Sequence, residues 1–145
     1  MKKRVMYFGH PINTYGTKFE EKLLKIIKQA RPDFKIENPN QLHHQEGYQQ
    51  WKKDTGNGMD YFFKVVLPKC DTGIFLPFSD GAWGAGVYGE AEWFFKRNKK
   101  TILWTIYKNG YIFSLDYDQF QRARKLSVED TIKRVRDEKG EMIPF

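Results

Sequence analysis

Residues 72–106 read TGIFLPFSDGAWGAGVYGEAEWFFKRNKKTILWTI. Two apolar runs, Gly73 to Phe78 and Thr101 to Ile106, enclose a glycine-laden loop and an acid-bearing helix. Continuous apolar runs are what strands covered on both faces require, and a helical crossover between them makes the strands parallel. In the loop Gly81, Gly84, Gly86 and Gly89 let backbone approach a ligand closely, and Glu90 follows near the helix start. Val87, Ala91, Phe94 and Phe95 share one helical stripe, with Glu90 and Glu92 on its opposite flanks. Near a helix N-terminus the dipole is expected to favour the ionised carboxylate, which suits a nucleophile better than a proton donor. A first-turn glutamate that stabilises its own helix is the structural alternative.

Outward from this stretch the same alternation continues. Arg4 to Gly9 reads as a strand, and Thr17 to Ala30 carries Phe19, Leu23, Leu24, Ile26, Ile27 and Ala30 at helical spacing, opened by Thr17 and Glu20 as a capping box. Phe34 to Glu37 is a short strand closed by Asn38 and Pro39. Gln41 to Asn57 is polar, anchored by Tyr48 and Trp51, and reads as a long loop with at most one helical turn. Met59 to Pro68 has helical spacing, Tyr111 to Leu115 adds an edge strand, and Ser127 opens a last helix with Val128, Ile132 and Val135 on its buried stripe. These elements make a single α/β domain over residues 1–145, with a mostly parallel central sheet and no repeat or linker to divide it.

Bulk properties bound the function. With 145 residues, 40% of them apolar and 17% aromatic, the chain can fill one core. No apolar run approaches twenty residues and MKKRVMYFGH does not continue into a signal-peptide pattern, so a cytoplasmic protein without a membrane partner is expected. Cys70, the only cysteine, excludes an internal disulfide and a cysteine-cluster metal site and is expected to be a buried, inert thiol. The net charge of +7 makes a phosphate-bearing partner plausible, but the basic residues fall into short clusters at Lys2 to Arg4, Lys96 to Lys100 and Arg122 to Lys125. Such clusters read better as solvated surface than as a nucleic-acid footprint.

In an open parallel sheet the loops after the strand carboxyl ends gather along one edge, where ligands bind. That edge collects Gly9 to Gly16, Asn38 to Pro39, Ser79 to Gly89 and the residues beyond Trp104. The first of these loops, FGHPINTYGT, runs into a helix N-terminus and has the makings of an anion site, with His10 as a phosphate contact or acid. A tight strand-to-helix turn with His10 bonded to local backbone accounts for it equally well. Trp83 is placed either to stack on a base or to plug its loop, and Ser79 and Asp80 either contact a ligand or form a turn. His43 and His44 are adjacent and lack an HxxxH or HxH partner, so no metal site is expected from them.

Taken together, Tyr7-Phe8-Gly9, Asp60 before the third strand, and Cys70 to Leu76 resemble the nucleoside 2-deoxyribosyltransferase superfamily, which includes nucleotide N-glycoside hydrolases. Gly86-Val87-Tyr88-Gly89-Glu90, followed by Phe94, Lys99, Lys100 and the strand Thr101 to Trp104, is the strongest part of a resemblance covering about residues 4–106. The resemblance implies a flavodoxin-like or Rossmann-like three-layer sandwich, forming a homo-oligomer, that cleaves the N-glycosidic bond of a nucleoside or nucleotide. It casts Glu90 as the nucleophile and Tyr7 as the group that holds it, with Gly9, His10, Asp60, Asp80, Trp83 and Gly86 as substrate contacts. No metal or organic cofactor is required. Gly84 stands where many deoxyribosyltransferases carry a base-contacting aspartate, with Asp80 four residues earlier, and no asparagine follows Asn109. Both departures weaken transfer more than hydrolysis. A non-catalytic nucleotide sensor on the same fold and a basic nucleic-acid-binding module are the competing expectations.

Overall fold

A computed structural model describes residues 3–145, so Lys2 of the first basic cluster lies outside the described residues. Strands β1 (Arg4–Gly9), β2 (Phe34–Glu37), β3 (Thr72–Phe75), β4 (Leu103–Ile106) and β5 (Ile112–Leu115) form one sheet in the order β2-β1-β3-β4-β5. The first four run parallel, and β5 is antiparallel to β4. Their helices are α1 (Lys18–Ala30), α2 (Leu42–Thr55), α3 (Met59–Tyr61), α4 (Ala85–Arg97), α5 (Tyr117–Gln121) and α6 (Val128–Val135). This is an α/β fold with a mostly parallel sheet, compatible with a Rossmann-like arrangement. No helix among the described residues is long and apolar enough to cross a membrane.

The period-two alternation of the strands divides the core. Met6, Phe8, Ile74, Leu76 and Ile106 meet Leu23 and Ile27 of α1 in one cluster. Tyr7, Phe75 and Leu103 meet Val87, Ala91, Phe94 and Phe95 of α4 in the other, together with Tyr61 and Phe62. One-residue alternation therefore sends Tyr7 and Phe8 into different cores. From β1 the chain moves outward to β2 and then returns past β1 to β3, so the strand order reverses between β1 and β3. Their carboxyl ends diverge into the loops after Gly9 and after Phe75, the place where open α/β sheets form a crevice.

Local chemistry accounts for most boundaries. Thr17 caps α1 by accepting from the Glu20 amide at 3.1 Å, and Ser127 does the same for Asp130 at 3.0 Å before α6. Residues 41–57 depart from the sequence reading, because Leu42–Thr55 is a helix, closed by Gly56 at φ 79°. Its apolar pattern is weak since His44 is its one fully buried residue, and it is held through Tyr48 and Trp51 against the second core. The predicted helix at 59–68 is present but irregular: α3 passes into a π turn at Phe62–Val66 and a 3-10 turn at Leu67–Lys69. In α6 only Val135 of the expected stripe is buried, while Val128 and Ile132 are exposed. That helix leans on the start of α4 through Thr131, whose hydroxyl accepts from the Ala85 amide at 2.9 Å, instead of laying an apolar stripe on the sheet.

A tight point of the fold beside Glu90 is the pairing of Gly9 with Phe75. A Cβ on Gly9 would lie 2.6 Å from Phe75 Cδ1 and 3.2 Å from Glu90 Oε1, so ring and carboxyl occupy the space a side chain would take. Phe75 is itself fully buried and has nowhere to retreat. Gly9→Ala is therefore expected to lower stability by about 1–3 kcal/mol or more. Urea denaturation of the two chains measures the loss, and an unchanged midpoint would show that the ring moves freely.

Candidate functional site

Tyr7 near the end of β1 and Glu90 in the second turn of α4 meet at the crevice, where the Tyr7 hydroxyl donates to Glu90 Oε2. Both are buried, at 1% and 6% exposure. The packing of α4 across the Tyr7 and Phe75 face puts Glu90 on the sheet side of the helix, level with the gap left by Gly9.

The electrostatics reverse the expectation from the helix dipole. Burial dominates and pushes the Glu90 carboxyl up to about 8, although the hydrogen bond from Tyr7 pulls the other way. Glu90 is the sixth residue of α4, beyond the unpaired amides of the first turn, so the dipole has faded where desolvation is strongest. Burial, then the neighbouring Glu90 charge, also raises the Tyr7 phenol well above its usual range. Tyr15 of the first loop is raised by burial and by the charges of Glu90 and Glu20. At neutral pH the pair thus keeps both protons, one on the Tyr7 phenol and one on the Glu90 carboxyl.

The first loop already contains an anion. His10 stacks on Phe8 at 4.0 Å between centroids, and its Nδ1 lies 2.8 Å from the Phe8 carbonyl while Nε2 lies 2.7 Å from Glu20 Oε2. Glu20 also accepts from the Gly16 amide at 3.1 Å and from Asn40 Nδ2 at 3.0 Å. Burial works to raise its carboxyl, but the hydrogen bonds of His10, Asn40 and Gly16 together hold it below the usual value. At this helix N-terminus the residue three places beyond the cap fills the position an external phosphate would take.

The other residues singled out from sequence are dispersed. Gly86 lies in the first turn of α4 facing Met59, whose Cε would be 3.8 Å from a Cβ there. Asp60 pairs with Lys64 at 3.5 Å. Asp80 is bound by Arg134 at 2.8 Å and Arg124 at 2.6 Å, and the Arg134 bond with that of the Ala82 amide keeps its carboxyl far below the ordinary range. Trp83 is buried edge-on against Phe120 and Tyr88, with its amide bonded to the Arg124 carbonyl and its carbonyl to the Leu126 amide. Cys70 is half-buried, and burial followed by the Glu37 charge pushes its thiol up to about 12, the behaviour of an inert sulfur.

A cavity of about 660 Å³ opens beside Trp83, lined by Thr105, Tyr107, Phe113, Gln119 and Arg122 among others. Neither Tyr7 nor Glu90 lines it. Sequence reading missed this cavity because β5 and α5 form its far wall, and nothing in Ile112–Gln121 signals a ligand. It also missed Tyr15, Glu20 and Asn40, and the approach of Glu37 to His43 and His44 within 4.8 Å. Compared with family models, curated proteins and solved structures, the chain finds no match.

The raised Glu90 carboxyl makes stability depend on pH with a defined sign. Between the usual carboxyl value of 4.5 and about 8 the native chain holds a proton that the unfolded chain releases, so stability falls as pH rises through that window. Glu90→Gln lacks this proton. Its stability relative to the parent chain is expected to rise from pH 5 to pH 9 by on the order of a few kcal/mol. Urea titrations across that range measure the difference, and parallel curves would refute a neutral buried Glu90.

Proposed function

We propose that this chain cleaves the N-glycosidic bond of a nucleoside or nucleotide, by hydrolysis in preference to transfer, on a flavodoxin-like three-layer sandwich. The observation that carries the reading is the buried contact of Tyr7 with Glu90 at the carboxyl ends of β1 and β3. Tyr7 engages Oε2 and leaves Oε1 on the side where Gly9 has no Cβ. Ionised Oε1 attacks the anomeric carbon, the carbon–nitrogen bond breaks, and its electron pair leaves with the base, which takes a proton from water. A second water then attacks the sugar ester, gives its proton to the hydroxide left by the first, and restores the carboxylate. The sugar becomes cationic as the bond breaks, and a carboxylate in a water-poor site attracts that charge more strongly than one in bulk solvent.

Two conditions follow from the geometry. Glu90 must lose its proton, so activity rises with pH towards about 8. Substrate must also reach a carboxyl that is buried at rest, so the groups covering it must move aside. A second reading, binding of a nucleotide without turnover, draws on the 660 Å³ cavity at Trp83, which is open while Glu90 is covered.

Incubation with a panel of deoxynucleosides, ribonucleosides and their 5′-monophosphates, with chromatography of the products, tests both. Free base is expected, falling by about a hundredfold or more in Glu90→Gln and by a smaller factor in Tyr7→Phe. Undiminished activity in Glu90→Gln removes the proposed nucleophile. Binding without free base moves the conclusion to the second reading.

A further inference from the structure

Three potential metal ligands that are separated in sequence or point apart in isolation converge at the other end of the same sheet edge. Glu37 ends β2, and His43 and His44 lie in the first turn of α2. Their ligating atoms all lie within 4.8 Å of one another. His44 is buried, with Nδ1 2.8 Å from the Tyr61 hydroxyl and Nε2 against Glu37 Oε1. The His43 ring lies 4.0 Å from the His44 ring and is exposed, and Glu37 is partly exposed.

The contacts of His44 alone have an ordinary structural explanation, since bonds to Glu37 and Tyr61 pin a weakly amphipathic helix to the sheet. His43 is not needed for that. Its ring nonetheless sits with the other two donors, on the open side of the cluster.

We propose that Glu37, His43 and His44 bind a divalent cation of the zinc class, with a coordination position left open to solvent. Two imidazole nitrogens and one carboxylate oxygen suit zinc and its neighbours in the transition series over magnesium or calcium, which take oxygen ligands. Tetrahedral ligands about 2.0–2.1 Å from a zinc ion stand about 3.3 Å apart, so the cluster must contract, and exposed His43 is free to turn inward. On a neutral His44 ring the cation takes the place of the Nε2 proton facing Glu37 and the ring carries its proton on Nδ1 instead, while nitrogen and carboxylate lone pairs form the new bonds. With Nε2 on the metal, Nδ1–H donates to the Tyr61 hydroxyl, an outer contact that fixes ring and tautomer. Glu37 is in register with Tyr7, so the ion sits on the Tyr7 face of the sheet, one strand from the glycosidic site. The inference does not rest on the glycosidase reading.

The chain's composition makes the test selective. It has three histidines, and His10 is 3% exposed and bound at both nitrogens. Titration of the chelator-treated full chain with zinc chloride by calorimetry, and with cobalt chloride by visible absorption, should show one saturable site with the intense bands of low-coordinate cobalt. His43→Ala should keep its circular dichroism and thermal midpoint without metal yet bind at least about tenfold more weakly, and Tyr61→Phe should weaken binding by about 10- to 100-fold. Cys70→Ser should bind as the parent does. Absence of saturable binding, equal affinity in His43→Ala, or loss of binding in Cys70→Ser would each overturn the assignment.

Discussion

The register of β1 against β3, with Tyr7 opposite Gly73 and Gly9 opposite Phe75, is the constraint on which the rest depends. Phe75 lies across both glycines, because a Cβ on Gly73 would stand 2.6 Å from its ring and one on Gly9 would stand equally close. With the ring laid flat against the sheet, α4 can pack low enough for Phe94 to meet it edge-on at 6.4 Å and for Glu90 to reach the Tyr7 hydroxyl. A slip of one residue would exchange Tyr7 for Phe8 on that face and leave the carboxyl without a partner. The core and the site therefore rest on the same two glycines.

Two buried glutamates show how surroundings decide what a carboxyl is. Glu20 receives hydrogen bonds from His10, Asn40 and Gly16, and the sum overcomes its burial and holds it ionised. Among the described residues Glu90 has one hydrogen-bond partner, the Tyr7 hydroxyl, and burial wins. Glu20 serves as the internal counter-ion of the first loop, while Glu90 is a group whose ionisation waits on a cation or on alkaline pH. Pairs of acids pushed in opposite directions are a recurring mark of sites where one is structural and the other reactive.

Strong periodicity was readable and weak periodicity was not. The paired apolar runs, the Thr17 cap and the Val87 to Phe95 stripe point to the strands and helices that are present, because each buries a face against a partner with matching period. Leu42–Thr55 escaped because its contacts to the fold are polar or come from Tyr48 and Trp51, neither of which makes an apolar stripe. The α6 stripe misled because Val128 and Ile132 have the right spacing but no facing surface. At the site, the wheel put Glu90 on one flank of the stripe and Glu92 on the other without choosing between them, and the balance of desolvation against dipole depends on depth, which no local pattern encodes. The partner of His43 and His44 comes from another element, so HxxxH reasoning had no access to it.

The C-terminal third acquires a purpose from what it touches. Arg124 and Leu126 clasp Trp83 by backbone bonds, Arg124 and Arg134 hold Asp80, and Thr131 supplies the Ala85 amide with its acceptor. Residues beyond β5 thus fix the wall of the crevice opposite the first loop. The two walls differ in kind. Loop 10–17 is locked by the buried His10–Glu20 pair, whose separation would strand a charge at considerable cost. Ser79 to Gly81 is held by ion pairs at the surface, each worth on the order of 0–1 kcal/mol. The Asp80 turn is therefore the less costly of the two walls to displace, and the large cavity beside Trp83 adjoins it.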